Sequence, residues 1–181
     1  MYADLRPGQG GIAPMIKRHE RGASVLEAVL FLPILFTLLW GMIELARIGI
    51  TYYSLQKMMY TIARYAGTQQ GVNFCDDGDT QIATAKNLAL RGSIDGSAAL
   101  ILPTLTADLV QVRAEKVDPD SQALAQCDCT ATACDAAAGA PGPNFIVVSI
   151  PDGYSVTTNI PFVAPVTFLL RPKVRMPFGG T

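Results

Sequence analysis

The chain's only histidine is His19, which precedes the first long apolar run. That placement removes Ser/His/Asp and Cys/His nucleophiles, and histidine-held metal, from everything that follows. Cys75, Cys127, Cys129 and Cys134 remain as candidates for chemistry. Their C-x-C-x4-C arrangement departs from the paired C-x2-C of zinc sites, and disulfides are expected instead. Cys127 joined to Cys129 would close a strained ring. One of those two is therefore expected to join Cys75, with Cys134 taking the remaining partner. Asp76-Asp77-Gly78-Asp79 lacks the alternating spacing and distal glutamate of a calcium-binding EF-hand, so it reads as a solvated loop capping the next helix. Gly8-Gln9-Gly10-Gly11 is too short for a phosphate loop. No cofactor motif is present, no enzyme is expected, and a net charge of −1 gives no general affinity for nucleic acid.

One more acid is out of place. Ala23 to Ile43 is an apolar run of 21 residues, close to the roughly 20 that a helix needs to cross hydrocarbon, and Glu27 stands in its first turn. Lys17, Arg18 and Arg21 crowd the N-terminal flank. The positive-inside rule then keeps the N-terminus in the cytoplasm and sends the rest across the membrane, where the cysteines meet an oxidising compartment. The run is longer than the apolar core of a cleavable secretory signal, and a plain anchor gives no reason for the glutamate.

The elements that position these residues follow from periodicity. Residues 1–22 form a Gly- and Pro-rich leader ending in the basic cluster. A single helix is expected over 23–70, membrane-embedded first and amphipathic after Glu44, with Ile48, Tyr52, Leu55, Met59, Ile62 and Ala66 as its apolar stripe. Glu44 and Arg47 are spaced to pair on its surface. Tyr52, Tyr53, Tyr60 and Tyr65 are expected to pack against the sheet or neighbouring subunits. Residues 71–181 read as an extracytoplasmic α+β domain. Thr80–Leu90 should be a short helix capped by Asp79 or Thr80 and stopped by Gly92. The alternation of Leu109–Val117 predicts a half-buried strand. Phe145–Ile150 and Tyr154–Ile160 flank Pro151-Asp152-Gly153 and predict a β-hairpin. Val166–Leu170 and Val174–Met176 are strand candidates that Pro172 should confine to an edge or split. Residues 127–144 read as a loop of small residues.

The order Arg21-Gly22-Ala23, then Glu27, then Leu32-Pro33 within the apolar run and Gly41-x-x-Glu44 at its end resembles the TadE-like family of the tight-adherence (Flp) pilus system. "YYSLQKMMYTIARYAG" is similar to that family's amphipathic continuation, and the likeness covers about residues 17–67. Ala28 stands where Tad-type pilins usually carry an aromatic residue. The resemblance implies a pilin-like fold: a long N-terminal helix followed by a small antiparallel β head. It implies cleavage by a prepilin peptidase between Gly22 and Ala23, which places Glu27 fifth in the mature chain. In pilins that acid is thought to pair with a neighbouring subunit's new N-terminal amine. The expectation is a pseudopilin-like or minor pilin-like protein of the bacterial inner membrane. Its expected partners are other pilin or pseudopilin subunits, the assembly platform and the peptidase. The competing expectation is a signal-anchored envelope protein whose exported domain binds a ligand or substrate.

Overall fold

The computed structural model describes residues 20–118, 120–127, 129, 142–161 and 163–179, with the side chains of 20–24 excepted. The leader, His19, Gly8–Gly11, Cys134 and most of the 127–144 loop lie outside these residues. The architecture is α+β: a long apolar N-terminal helix followed by a small antiparallel β domain. The chain divides into two compact units, one ending at Met42 and one running from Ile43 to Thr181.

Helix α1 runs Glu20–Thr68 and passes Pro33 without ending. Its first part, to Met42, presents its bulky side chains outward, from Val25 through Trp40. Its second part belongs to the other unit and supplies the floor of that unit's core. Leu55, Met58, Met59, Ile62, Ala63 and Ala66 are buried there. The steps of three and four between them make a broad apolar face of a 3.6-residue period. Tyr52, expected in this stripe, instead remains 41% exposed and accepts a hydrogen bond from Gln56 Nε2 at 2.9 Å. Met58 and Ala63 widen the buried face in its place.

Helix α2 spans Thr80–Arg91. Asp79 Oδ1 accepts from the amides of Gln81 and Ile82, and Gly92 closes the helix at φ +72°, donating its amide to Leu88. Ile82, Ala85 and Ala89 turn inward, while Leu88 is only half-buried. A short 3-10 turn, Ala107–Leu109, leads into the sheet.

Four strands form an antiparallel sheet in the order β2-β1-β3-β6: β1 Gln111–Val117, β2 Leu124–Gln126, β3 Phe145–Ser149 and β6 Lys173–Pro177. Register puts Val112 opposite Val148 and Ala114 opposite Ile146, with Val174 and Met176 continuing the same rows on β6. This face joins α1 and α2 in one hydrophobic core. On the other face Glu115 is paired with Arg175 at 2.7 Å.

The expected hairpin at Pro151-Asp152-Gly153 does not form. The turn is there: Gly153 donates to Ile150 O at 3.1 Å and has φ +80°. But β3 already has β1 on one edge and β6 on the other, so β4 (Tyr154–Thr157) has no edge of β3 to pair with. It pairs instead with β5 (Thr167–Leu170) in a separate two-stranded sheet. Ser149 faces Lys173 and Tyr154 faces Leu170, so four residues on one arm oppose two on the other. The turn is thus a corner in one long bent ribbon, β3-β4 ascending and β5-β6 descending. Pro172 sits at the matching break, splitting β5 from β6 and leaving β6 on an edge. The true hairpin closure is residues 158–166, where Thr158 N donates to Val166 O at 2.9 Å.

If the second half of α1 is core, Ile62→Ala should destabilise the domain by about 2–5 kcal/mol through lost burial and the cavity left behind. Tyr53→Ala, on the exposed side of the same helix, should stay within about 0.5 kcal/mol. Urea denaturation of the detergent-solubilised chain measures both.

Candidate functional site

The site suggested by the sequence is a helix, not a pocket. The backbone of Gly22 and Ala23 is helical, inside the first turn of α1. A glycine there is about 1 kcal/mol less favourable than alanine in a helix interior, which makes local opening at this junction inexpensive. Glu27 follows one turn later with its side chain exposed. Among the described residues no ion pair involves its carboxylate. Around it Val25, Leu26, Val29, Leu30 and Phe31 are all exposed, and the most apolar stretch of α1 has none of its residues buried. Among the described residues this is the one helix long and apolar enough to cross a membrane. An apolar surface of that length is far larger than water-exposed patches on soluble proteins, and hydrocarbon is the solvent it suits.

Immediately after the apolar run stands a second acid with a different environment. Glu44 is only 7% exposed and pairs with Arg47 at 2.8 Å. Arg47 also donates to the carbonyl of Thr157, at the end of β4. A surface pair of this spacing is worth a few tenths of a kcal/mol. Here the carboxylate is desolvated, so its partner is needed to offset burial, and the same guanidinium fastens α1 to the ribbon. Sequence reasoning found the pair but not its burial or its third member. The signal for the pair was an acid ending an apolar run with arginine three residues on. Nothing local marks Thr157, which is 110 residues away.

Cys75 and Cys129 form a disulfide, with Cα atoms 5.4 Å apart and a sequence separation of 54. Closing a loop of that size restricts the unfolded chain by about 4 kcal/mol on the chain-entropy account. Cys127 is also disulfide-bonded. The neighbouring acids each have a local task. Asp76 Oδ1 accepts from Gly78 N at 2.8 Å, Asp77 pairs with Arg113 at 3.2 Å, and Asp79 caps α2 while its Oδ2 accepts from Asn73 N. Among the described residues no cluster of acids, cysteines and histidine has metal-binding geometry.

Among the described residues Lys86 is a second buried charge. Burial holds its ammonium below the ordinary lysine value of 10.5, with Asp77 and Asp108 pulling the other way and Arg113 adding to the depression. A groove of ≈ 310 Å³ lies between α1 and α2, lined by Tyr53, Lys57, Met58, Leu88 and Ile101, and is open to solvent.

One N-terminal apolar helix that fits a single-pass membrane anchor thus leads into a disulfide-tied α+β domain. Residues 22–64 match a family model described as TadE-like protein, a stretch that holds Gly22-Ala23, Glu27, the apolar run, Glu44 and most of the buried helix face. No curated protein and no solved structure matches the chain. The TadE-like match suggests a Tad pilus-associated protein, and the apolar helix fits a single-pass membrane anchor.

Two outcomes follow from the buried charges. Arg47→Met should cost about 2–3 kcal/mol by stranding Glu44, while Glu44→Gln/Arg47→Met should recover more than half of the loss. A denaturation cycle on these two variants and Glu44→Gln alone checks this. For Lys86, the folded state is penalised while the lysine is charged, and the penalty fades as pH rises through the depressed folded value toward 10.5. Lys86→Met should therefore raise the melting temperature at pH 7. The gain should narrow as pH climbs into the alkaline range, followed by circular dichroism.

Proposed function

We propose that this protein is a pseudopilin-like or minor pilin-like component of a tight-adherence (Flp) type IV pilus or a related secretion apparatus, acting in assembly. The observation that carries the reading is Glu27 in an exposed apolar helix, one turn beyond the Gly22-Ala23 junction, within the TadE-like segment. A charge held at bilayer depth costs about 3 kcal/mol on translocon-based scales, less near the span's end, and is retained where a partner neutralises it. Cleavage before Ala23 by a prepilin peptidase creates such a partner, a free amine, on every subunit. Because the Glu27 side chain is exposed, the amine of an adjacent subunit can approach it within the membrane. The ion pair then sets the stagger between neighbouring helices. The basic cluster Lys17, Arg18 and Arg21 holds the N-terminus in the cytoplasm of a bacterial inner membrane, and the disulfide-tied head faces the periplasm or the exterior. The head caps, primes or regulates assembly, with no catalytic step of its own.

The open groove beside Tyr53 favours a second reading, in which α1 is only a tether and the head binds a ligand. The two differ in the N-terminus and in Glu27. On the pilin-like reading, membrane-extracted protein begins at Ala23 by intact mass. Glu27→Ala inserts at the normal level but falls at least tenfold in co-purification with the other pilus components. An uncut Met1 start together with unchanged co-purification of Glu27→Ala supports the tether.

A further inference from the structure

The ribbon β4–β5 is built unlike the rest of the domain. From Gly153 to Leu170 no residue carries a charge. Val163, Val166, Phe168 and Leu169 are nevertheless exposed, Leu169 by 56%, and β5 is open on both faces. Edge strands that face water are normally guarded by charge or proline. The edge strand β6 follows that rule with Lys173 and Arg175, alternating with half-buried Val174 and Met176. β5, in a sheet of only two strands, has neither safeguard between Thr167 and Leu170.

Its attachment point bears on the solvent it meets. The carbonyl of Thr157 is held by Arg47, and Arg47 lies four residues past Ile43, where the apolar run ends. At 1.5 Å per helical residue that is about 6 Å, within the headgroup layer beside the hydrocarbon. The neck of the ribbon is also prepared for desolvation. Thr157 and Thr167 hydroxyls meet at 3.1 Å, and Thr158 Oγ1 both donates to Val166 O and accepts from Val166 N. Polar groups satisfied among themselves lose little on leaving water. A protein partner would find apolar side chains here with no charge to set its register, whereas the lipid surface needs none.

We infer that the β4–β5 ribbon is a second membrane contact, placing its uncharged closing loop, with Val163 and Val166, and the exposed Phe168 and Leu169 of β5 in the interfacial layer of the leaflet from which α1 emerges. The head then stands on the bilayer at two points, and its orientation about α1 is restrained before any assembly. The inference rests on α1 crossing the membrane but not on any pilus role.

Trp40 is the chain's single tryptophan, so both contacts can be read by fluorescence. The full chain is reconstituted in phosphatidylcholine vesicles containing lipids brominated at shallow or deep acyl positions. Quenching of Trp40 in the unmodified protein establishes that the span is embedded. In Trp40→Phe/Phe168→Trp and Trp40→Phe/Val163→Trp, the new indole is expected to be quenched most by the shallow bromines. Iodide should quench it at least threefold less than in the urea-unfolded chain. Intact mass with the disulfides retained identifies folded protein, and two sites guard against one misfolding. Trp40 quenched but the new indoles untouched by bromolipid overturns the inference. So does protection from iodide without bromolipid quenching, which would place a second copy or another protein on the ribbon.

Discussion

One helix has to satisfy two solvents. The outward apolar side chains of α1 before Met42 are exposed, while those from Leu55 to Ala66 are the floor of a folded core. A helix can do this because all its backbone hydrogen bonds are internal, so it carries no unsatisfied groups from lipid into protein. The change of solvent is set by side chains alone. It falls around Glu44, whose charge is neither left in hydrocarbon nor given to water but taken into the head with Arg47. The rest of the domain is arranged on that helix: the sheet closes over it, and the ribbon's β4 is fastened to it through Thr157.

The two acids of the TadE-like segment therefore have opposite surroundings. Glu44 has found its cation within the same chain. Glu27 has an exposed side chain and, among the described residues, no ion pair. A charge satisfied internally stabilises one subunit, whereas a charge left for a partner makes a membrane helix selective about its neighbours. This contrast is the physical content of the proposed assembly role. It does not require the head to bind anything.

How much of this could be read from the sequence depended on distance along the chain. Asp79 and Gly92 were legible as the ends of α2 because a cap is decided by three or four adjacent residues. The long apolar helix was legible from its own run of residues, as was the break at Pro172. Pro151-Asp152-Gly153 was legible as a turn but not as a corner, because what a turn joins depends on which strand edges are already occupied. β3 is enclosed by β1 and β6, and neither neighbour is nearby in sequence. Tyr52 was misplaced because its spacing suits the stripe, although the core begins only at Leu55 among the fully buried positions. The tie from Arg47 to the ribbon was hidden because Thr157 lies 110 residues further on.

The second half of α1 folds as part of the head, and the first half is left to lipid. Amide hydrogen exchange of the full chain in lipid nanodiscs tests it directly. Residues 55–66 should exchange as slowly as β1 and β3 and be lost together with them when denaturant is added, because they form one cooperative unit. Exchange of 55–66 well ahead of the sheet, with β1 and β3 still protected, would contradict the account and leave a head that merely hangs from its anchor.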